Sequence, residues 1–225
     1  MKKLYEEEDI RGIAEAIREK NGTTTQYKVS EMKPAILAIP SGASEPYIEE
    51  TYDANGRLID VNLVGYTAIR DNAFYKCTNL SLTSLPNEVT SIGTYAFAGC
   101  TSLALTSLPS GITSIGDFAF QNCSKLALTS LPSGLTSVGN YIFYGCQKLA
   151  LTSLPSGVRS IGGNAFGNCK GLTSITFHGK PNSIASNAFR GCTNLKTINV
   201  PWASGEVADA PWGATNATIN YNYTG

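Results

Sequence analysis

Six cysteines and one histidine are the residues of this chain best suited to thiol or soft-metal chemistry. Cys77, Cys100, Cys123, Cys146, Cys169 and Cys192 stand 23 residues apart throughout. A zinc site needs close pairs such as C-x-x-C with partner histidines, and His178 is the single histidine available. A fixed interval instead marks one structural position visited once per period. The thiols are therefore expected as an internal ladder of small buried groups. Adjacent rungs would approach disulfide Cα distances, yet parallel inward side chains hold their sulfurs poorly placed for bonding, so reduced thiols are expected. No other constellation offers catalysis. There is no G-x-S-x-G, no P-loop and no carboxylate cluster to activate a nucleophile or water. The expectation is a protein that is not an enzyme and needs no cofactor or metal.

The elements that position the cysteines follow the same period. Phe74, Phe97, Phe120, Phe143, Phe166 and Phe189 stand three residues before each cysteine, and Leu80, Leu103, Leu126, Leu149, Leu172 and Leu195 three after. Ile69, Ile92, Ile115, Val138, Ile161 and Ile184 precede each Phe by five. The wording Leu105-Thr-Ser-Leu108-Pro109-Ser-Gly111 returns at 128–134 and 151–157. A 23-residue unit cannot bury its own apolar face, whereas stacked copies fuse their cores into one column. Within a unit, Leu80 to Leu85 reads as extended and closed by Pro86, and Ala96 to Cys100 as a short helical turn. Six coils rising by the spacing of paired strands, ~4.8 Å, give a rod roughly 25–30 Å long.

The phrase Ser91-Ile92-Gly93-Thr94-Tyr95-Ala96-Phe97-Ala98-Gly99-Cys100-Thr101-Ser102-Leu103 resembles the BspA-type (treponemal) leucine-rich repeat. It recurs at 114–123 and 160–169, and the resemblance covers roughly residues 65–200. It implies an α/β repeat solenoid, curved and right-handed, used in adhesion and recognition, with no catalytic residues to carry over. Ile142 departs from the usual Ala before Phe143. The last two units change their strand pattern to Ile175/Phe177 and Ile198/Val200, which implies altered curvature there.

Solenoid ends need caps against exposed core and strand edges. Tyr47–Tyr52 and Leu58–Val64 flank Asp53-Ala54-Asn55-Gly56, a hairpin signal. After the repeats, Trp202 and Trp212 are expected to cover the last coil, followed by a strand-like Ala217–Tyr223. Before the hairpin, Ile10, Ile13, Ala14 and Ile17 lie at helical spacing, and Asn21-Gly22 ends that run. Met32, Ala35, Ile36 and Ile39 repeat the spacing in a second helix with Pro34 in its first turn. The faces Ile10, Ile13, Ile17 and Met32, Ile36, Ile39 are the candidate assembly surfaces, because two short helices hold too little core to stand alone. The organisation expected is a two-helix attachment or oligomerisation module at 1–40, a linker at 41–46, a hairpin cap at 47–66, repeats at 67–200 and a C-terminal cap at 201–225. The stretch Ile13–Thr23 with Tyr27–Met32 resembles N-terminal modules of tail and baseplate-associated proteins of phages infecting Gram-positive bacteria. That resemblance implies attachment to a virion or tail protein, or self-association, through residues 1–40. Acidic residues begin directly after Tyr5, so no secretory signal is expected. Virion localisation is the leading expectation and the bacterial cell surface its alternative.

The surface carries the remaining information. Lys plus Arg equals Asp plus Glu, 17 against 17, which argues against nucleic acid as the main partner. No apolar run reaches the ~20 residues of a membrane span. Between Cys77 and Thr176 charge is sparse, and Ser, Thr, Asn and Gly dominate. Tyr95, Phe118 and Tyr141 share one repeat position, and Tyr75 and Tyr144 another. Such columns beside neutral hydroxyls suit the rings and rims of sugars. Packing of the same aromatics between coils is the competing reading. Thr83, Thr106, Thr129 and Thr152 form a second ladder, but leucines three apart deny it the flat alternating strand of an ice-binding face. Three functions stay open: host-surface glycan or protein recognition by a phage or prophage tail protein, a purely structural assembly or decoration subunit, and a bacterial cell-surface adhesin.

Overall fold

The computed structural model describes residues 47–224. The helices expected at 1–40, with the faces Ile10, Ile13, Ile17, Met32, Ile36 and Ile39, and the linker at 41–46 lie outside the described residues.

The chain enters through an antiparallel hairpin, β1 (Tyr47–Tyr52) with β2 (Leu58–Val64). Gly56 takes a positive φ of 73° while Asn55 does not, and the Gly56 amide donates to the Asp53 carbonyl at 2.9 Å, so the reversal is a longer turn ending in a left-handed glycine rather than a two-residue Asn-Gly turn. The Asp53 carboxylate accepts from the amides of Asn55 and Arg57 at 2.9 and 2.8 Å and fixes the reversal. Leu58, Val61 and Leu63 alternate onto the core. The Ser81 amide donates to the Ile59 carbonyl at 2.8 Å, joining the cap to the first coil.

Each coil then runs from a Ser–Ile rung to a turn segment and on to a leucine segment. The rungs are β3 (Ala68–Ile69), β4 (Ser91–Ile92), β5 (Ser114–Ile115), β6 (Ser137–Val138), β8 (Ser160–Ile161) and β10 (Ser183–Ile184), with β7 (Ser153–Leu154) on the leucine face. They pair in parallel at the 23-residue register, as two three-stranded sheets that part between β5 and β6. On the leucine face β7, β9 (Ser174–Phe177), β11 (Thr197–Asn199) and β12 (Thr218–Asn220) form a four-stranded sheet. Regular strands there are confined to the later coils. In the first three coils the inward leucines, as in Leu103, Leu105 and Leu108, are spaced unevenly, and alternation is what a strand needs. The extended segment expected at Leu80–Leu85 is therefore linked by isolated rungs, such as the Ala104 amide to the Leu82 carbonyl at 3.0 Å.

Among the described residues there is no α-helix. The chain is a β-solenoid, which corrects the α/β expectation and the helical turn at Ala96–Cys100. The reason lies in the backbone. Ala96, Ala98 and Cys100 donate three residues back, to Gly93, Tyr95 and Phe97, while Tyr95, Phe97 and Gly99 donate to Asp117, Ala119 and Gln121 of the next coil. Alternate amides thus leave the coil, so no i→i−4 ladder can start. Tyr95 and Gly99, with φ of 56° and 79°, break any helical run as well.

The core is one column. The six phenylalanines are fully buried and stack with centroids 5.0–5.7 Å apart. A seventh, degenerate coil closes it. Trp212 stands 23 residues after Phe189, is fully buried, and accepts the Phe189 amide at 2.9 Å through its carbonyl. Its indole donates to the Ala208 carbonyl at 2.7 Å. Trp202 packs edge-on against Phe177, and β12 adds to β11. The segment 201–224 therefore continues the solenoid as it covers it, adding to the six coils expected.

Candidate functional site

The turn segment holds the five candidate aromatics, and two of its backbone positions have positive φ. The second residue before the first five phenylalanines is one: Asn72 (59°), Tyr95 (56°), Phe118 (61°), Tyr141 (53°) and Asn164 (50°). Asparagine tolerates this region, but a bulky aromatic there is an outlier, at a cost of roughly 1–2 kcal/mol per residue. The rings offset part of that cost by stacking on one another. Tyr95 and Phe118 lie 4.5 Å apart at 10°, and Phe118 and Tyr141 lie 5.0 Å apart at 8°. Such pairs contribute about 0.5–1.5 kcal/mol. The two stacks give about 1–3 kcal/mol beyond their buried area against about 3–6 kcal/mol of strain over the three residues, so stacking by itself does not explain aromatics where the flanking coils use asparagine.

Tyr75 meets Tyr95 edge-on at 6.1 Å, and Tyr144 meets Tyr141 at 5.5 Å. The two columns read from the sequence are thus one continuous strip of five rings across coils one to four. All five are half-buried. The faces of Tyr95, Phe118 and Tyr141 turn toward one another, so packing between coils coexists with partial exposure. The Lys76 ammonium lies 5.0 Å from the Tyr75 ring. Beside the strip, the Asp117 carboxylate accepts from the amide and the side-chain nitrogen of Asn140 at 2.8 and 3.0 Å. Asn140 in turn accepts the Gly163 amide at 2.8 Å.

The thiols lie on the other side of the same turn. Five of the six donate to the phenylalanine carbonyl of the preceding coil: Cys100 to Phe74 at 2.9 Å, Cys123 to Phe97 at 3.0 Å, Cys146 to Phe120 at 3.1 Å, Cys169 to Phe143 at 3.0 Å and Cys192 to Phe166 at 2.9 Å. Burial pushes the Cys77 thiol up to about 12 and the Cys192 thiol up to about 11. Burial, reinforced by the neighbouring cysteine, raises those between them well above the ordinary thiol value. All six are free, their raised values keep them neutral thiols, and the five from Cys100 to Cys192 serve as buried core donors. Among the described residues no group of three or more His, Cys, Asp or Glu gathers where it could hold a metal ion. His178 is exposed, as are Thr83, Thr106, Thr129 and Thr152. Among the described residues no helix is long and apolar enough to cross a membrane.

The other positive-φ position, one residue before each cysteine, escaped the sequence reading. It alternates Lys76, Gly99, Asn122, Gly145, Asn168, Gly191, a two-coil period visible in the sequence. A Cβ on Gly145 would collide with Asn122 Oδ1, and one on Gly191 with Asn168 Oδ1. Each larger side chain folds over the glycine of the following coil.

Several solved structures are similar to this chain. A leucine-rich-repeat protein of Treponema pallidum is 27% identical, covering 68% of this chain and 82% of that one with a TM-score of 0.53. A leucine-rich cell surface protein of Faecalibacterium prausnitzii is 23% identical over 72% of this chain and 56% of that one, with a TM-score of 0.46. The pneumococcal vaccine antigen PcpA is 18% identical over 76% and 48%, with a TM-score of 0.46. No curated protein matches significantly. The BspA type leucine rich repeat region matches residues 67–196 in six copies, and with more than half its length matched the chain belongs to the BspA-type leucine-rich-repeat family.

Proposed function

We propose that this chain is a non-catalytic recognition protein whose solenoid contacts a host-surface glycan or protein through the strip Tyr75, Tyr95, Phe118, Tyr141 and Tyr144. The observation that carries this reading is the strip itself: five contiguous half-buried aromatics, three of them in a backbone conformation that asparagine fills in the flanking coils. Sparse neighbouring charge favours a neutral, hydroxyl-rich contact. Residues 1–40 attach the chain to a phage tail or virion, a role supported by the resemblance of Ile13–Met32 to phage tail modules.

The test is retention of the labelled full chain on Gram-positive cells and purified cell-wall glycan, beside a Tyr95→Asn/Phe118→Asn/Tyr141→Asn variant. Asparagine is the residue the fold already uses at this position, so the variant keeps its backbone. Saturable retention lost in the variant supports recognition by this face. Retention by neither protein across a broad panel refutes it and leaves an assembly or decoration subunit as the better account.

A further inference from the structure

The formal charge of zero conceals a segregation along the chain. Residues 100–199 carry seven basic side chains and a single acidic one, Asp117, and that carboxylate already holds Asn140. Lys180 pairs with Glu206. Lys125, Lys148, Lys170 and Lys196 are exposed and have no acidic partner among the described residues. All four occupy the corner after the thiol: two residues past Cys123 and Cys146, one past Cys169, four past Cys192. The residue three past each thiol, Leu126, Leu149, Leu172 or Leu195, is fully buried, which turns its neighbours outward. Lys125 and Lys148 share one repeat position, Lys170 stands one place earlier in its unit and Lys196 two places later. Coils three to six, whose phenylalanine rings stack at 5.0–5.7 Å, thus each carry one exposed cation in this segment, taken together as a lysine ridge.

Fixed acceptors run along the same corner. The Thr101 hydroxyl donates to the Thr78 carbonyl at 3.2 Å, and the Ser124 hydroxyl to the Thr101 carbonyl at 3.2 Å. Their protons are engaged, so their oxygens remain as acceptors. Asn194 donates through Nδ2 to the Lys170 carbonyl at 2.8 Å and keeps its amide oxygen as an acceptor. A matching ligand needs anionic groups repeating at about the coil spacing and O–H donors between them.

We propose that this ridge binds an extended anionic polysaccharide lying along the solenoid axis. One pyranose unit spans about one coil, its acidic substituent meets a lysine, and its free hydroxyls meet the Thr, Ser and Asn oxygens. DNA supplies the charge without sugar hydroxyl donors, and its affinity comes from many phosphate contacts. The inference rests on the recognition reading and names a second contact for it. The ridge spans coils three to six and the aromatic strip coils one to four, so the two are separable by substitution.

The test uses the full chain with fluorescent polygalacturonate and dextran sulfate, beside neutral dextran and a single-stranded DNA of similar charge. Saturable binding to an anionic glycan is expected, weakening with added salt. A Lys125→Gln/Lys148→Gln/Lys170→Gln/Lys196→Gln variant should bind at least about tenfold more weakly, while an Arg57→Gln/Arg159→Gln control stays within about twofold. The asparagine variant of the strip should keep this binding. Binding to neither anionic glycan overturns the ridge even where the strip still holds cells. Equal loss in the lysine and arginine variants, or DNA binding with the same strength and the same dependence on the lysines, also overturns it.

Discussion

Asn122 and Gly145 stand 23 residues apart, and the asparagine side chain fills the space where a Cβ of the glycine would sit. Both have positive φ, 59° and 74°. The larger residue can occupy one coil only because the next coil yields the space, which gives the turn face its two-coil rhythm.

Gly145→Ala should therefore destabilise the chain through two causes, the collision and the left-handed backbone. Removing the collision with Asn122→Gly should recover part of the loss. A double-mutant cycle by denaturant unfolding is expected to give a coupling of about 0.5–3 kcal/mol. Additive single effects would mean that the asparagine moves aside freely and that only the backbone term is real.

Tyr95→Asn/Phe118→Asn/Tyr141→Asn should leave the fold intact, because relief of up to about 3–6 kcal/mol of strain opposes loss of about 1–3 kcal/mol of stacking together with the rings' buried area. Thermal melts give the answer beside the retention assay. A collapse of the fold in this variant would assign the strip to stability and remove its claim to recognition.

The thiols give a pH dependence whose sign is fixed. Burial raises their folded-state values above the ordinary 9.0, to about 12 at Cys77 and about 11 at Cys192. Their contribution is fully present below about pH 9 and is lost as pH rises toward the folded values, because the unfolded chain releases its protons first. Melting temperature should fall from pH 8 to pH 10, and a thiol reagent should label the native chain at pH 8 far more slowly than the unfolded one. Rapid native labelling of all six would contradict the buried ladder.

Trp212→Ala should cost about 3–5 kcal/mol, as for a buried aromatic emptied from a core. The loss should concentrate at one end. Hydrogen exchange at the Phe189 amide, which donates to the Trp212 carbonyl, should accelerate more than at Phe97. Uniform acceleration along the rod would show that the last coil is no separate closing unit.

Much of the architecture was legible in the chain because burial repeats its demand every 23 residues. Each coil needs a phenylalanine, a thiol and a leucine inward, so Phe120, Cys123 and Leu126 announce their places by type and interval. The turn at Gly56 was equally readable, since few residues accept its backbone. The helical reading of Ala96–Cys100 failed because the amides of Phe97 and Gly99 bond to Ala119 and Gln121, partners in the next coil that local propensity cannot sense. Outward side chains answer to the neighbouring coil in the same way. Whether Tyr75 and Tyr144 join the Tyr95 column depends on ring positions set across stacked turns, and only the fold merges them. Zero net charge was correct as a sum, yet stacking puts the exposed Lys125, Lys148, Lys170 and Lys196 on four successive coils. Trp212 looked like a lid, and its place beside Phe189 makes it the core of a seventh coil. Sequence alone determined what must be buried in each period. Tertiary structure decided what the outward residues become together, because those neighbours are a full coil apart along the chain.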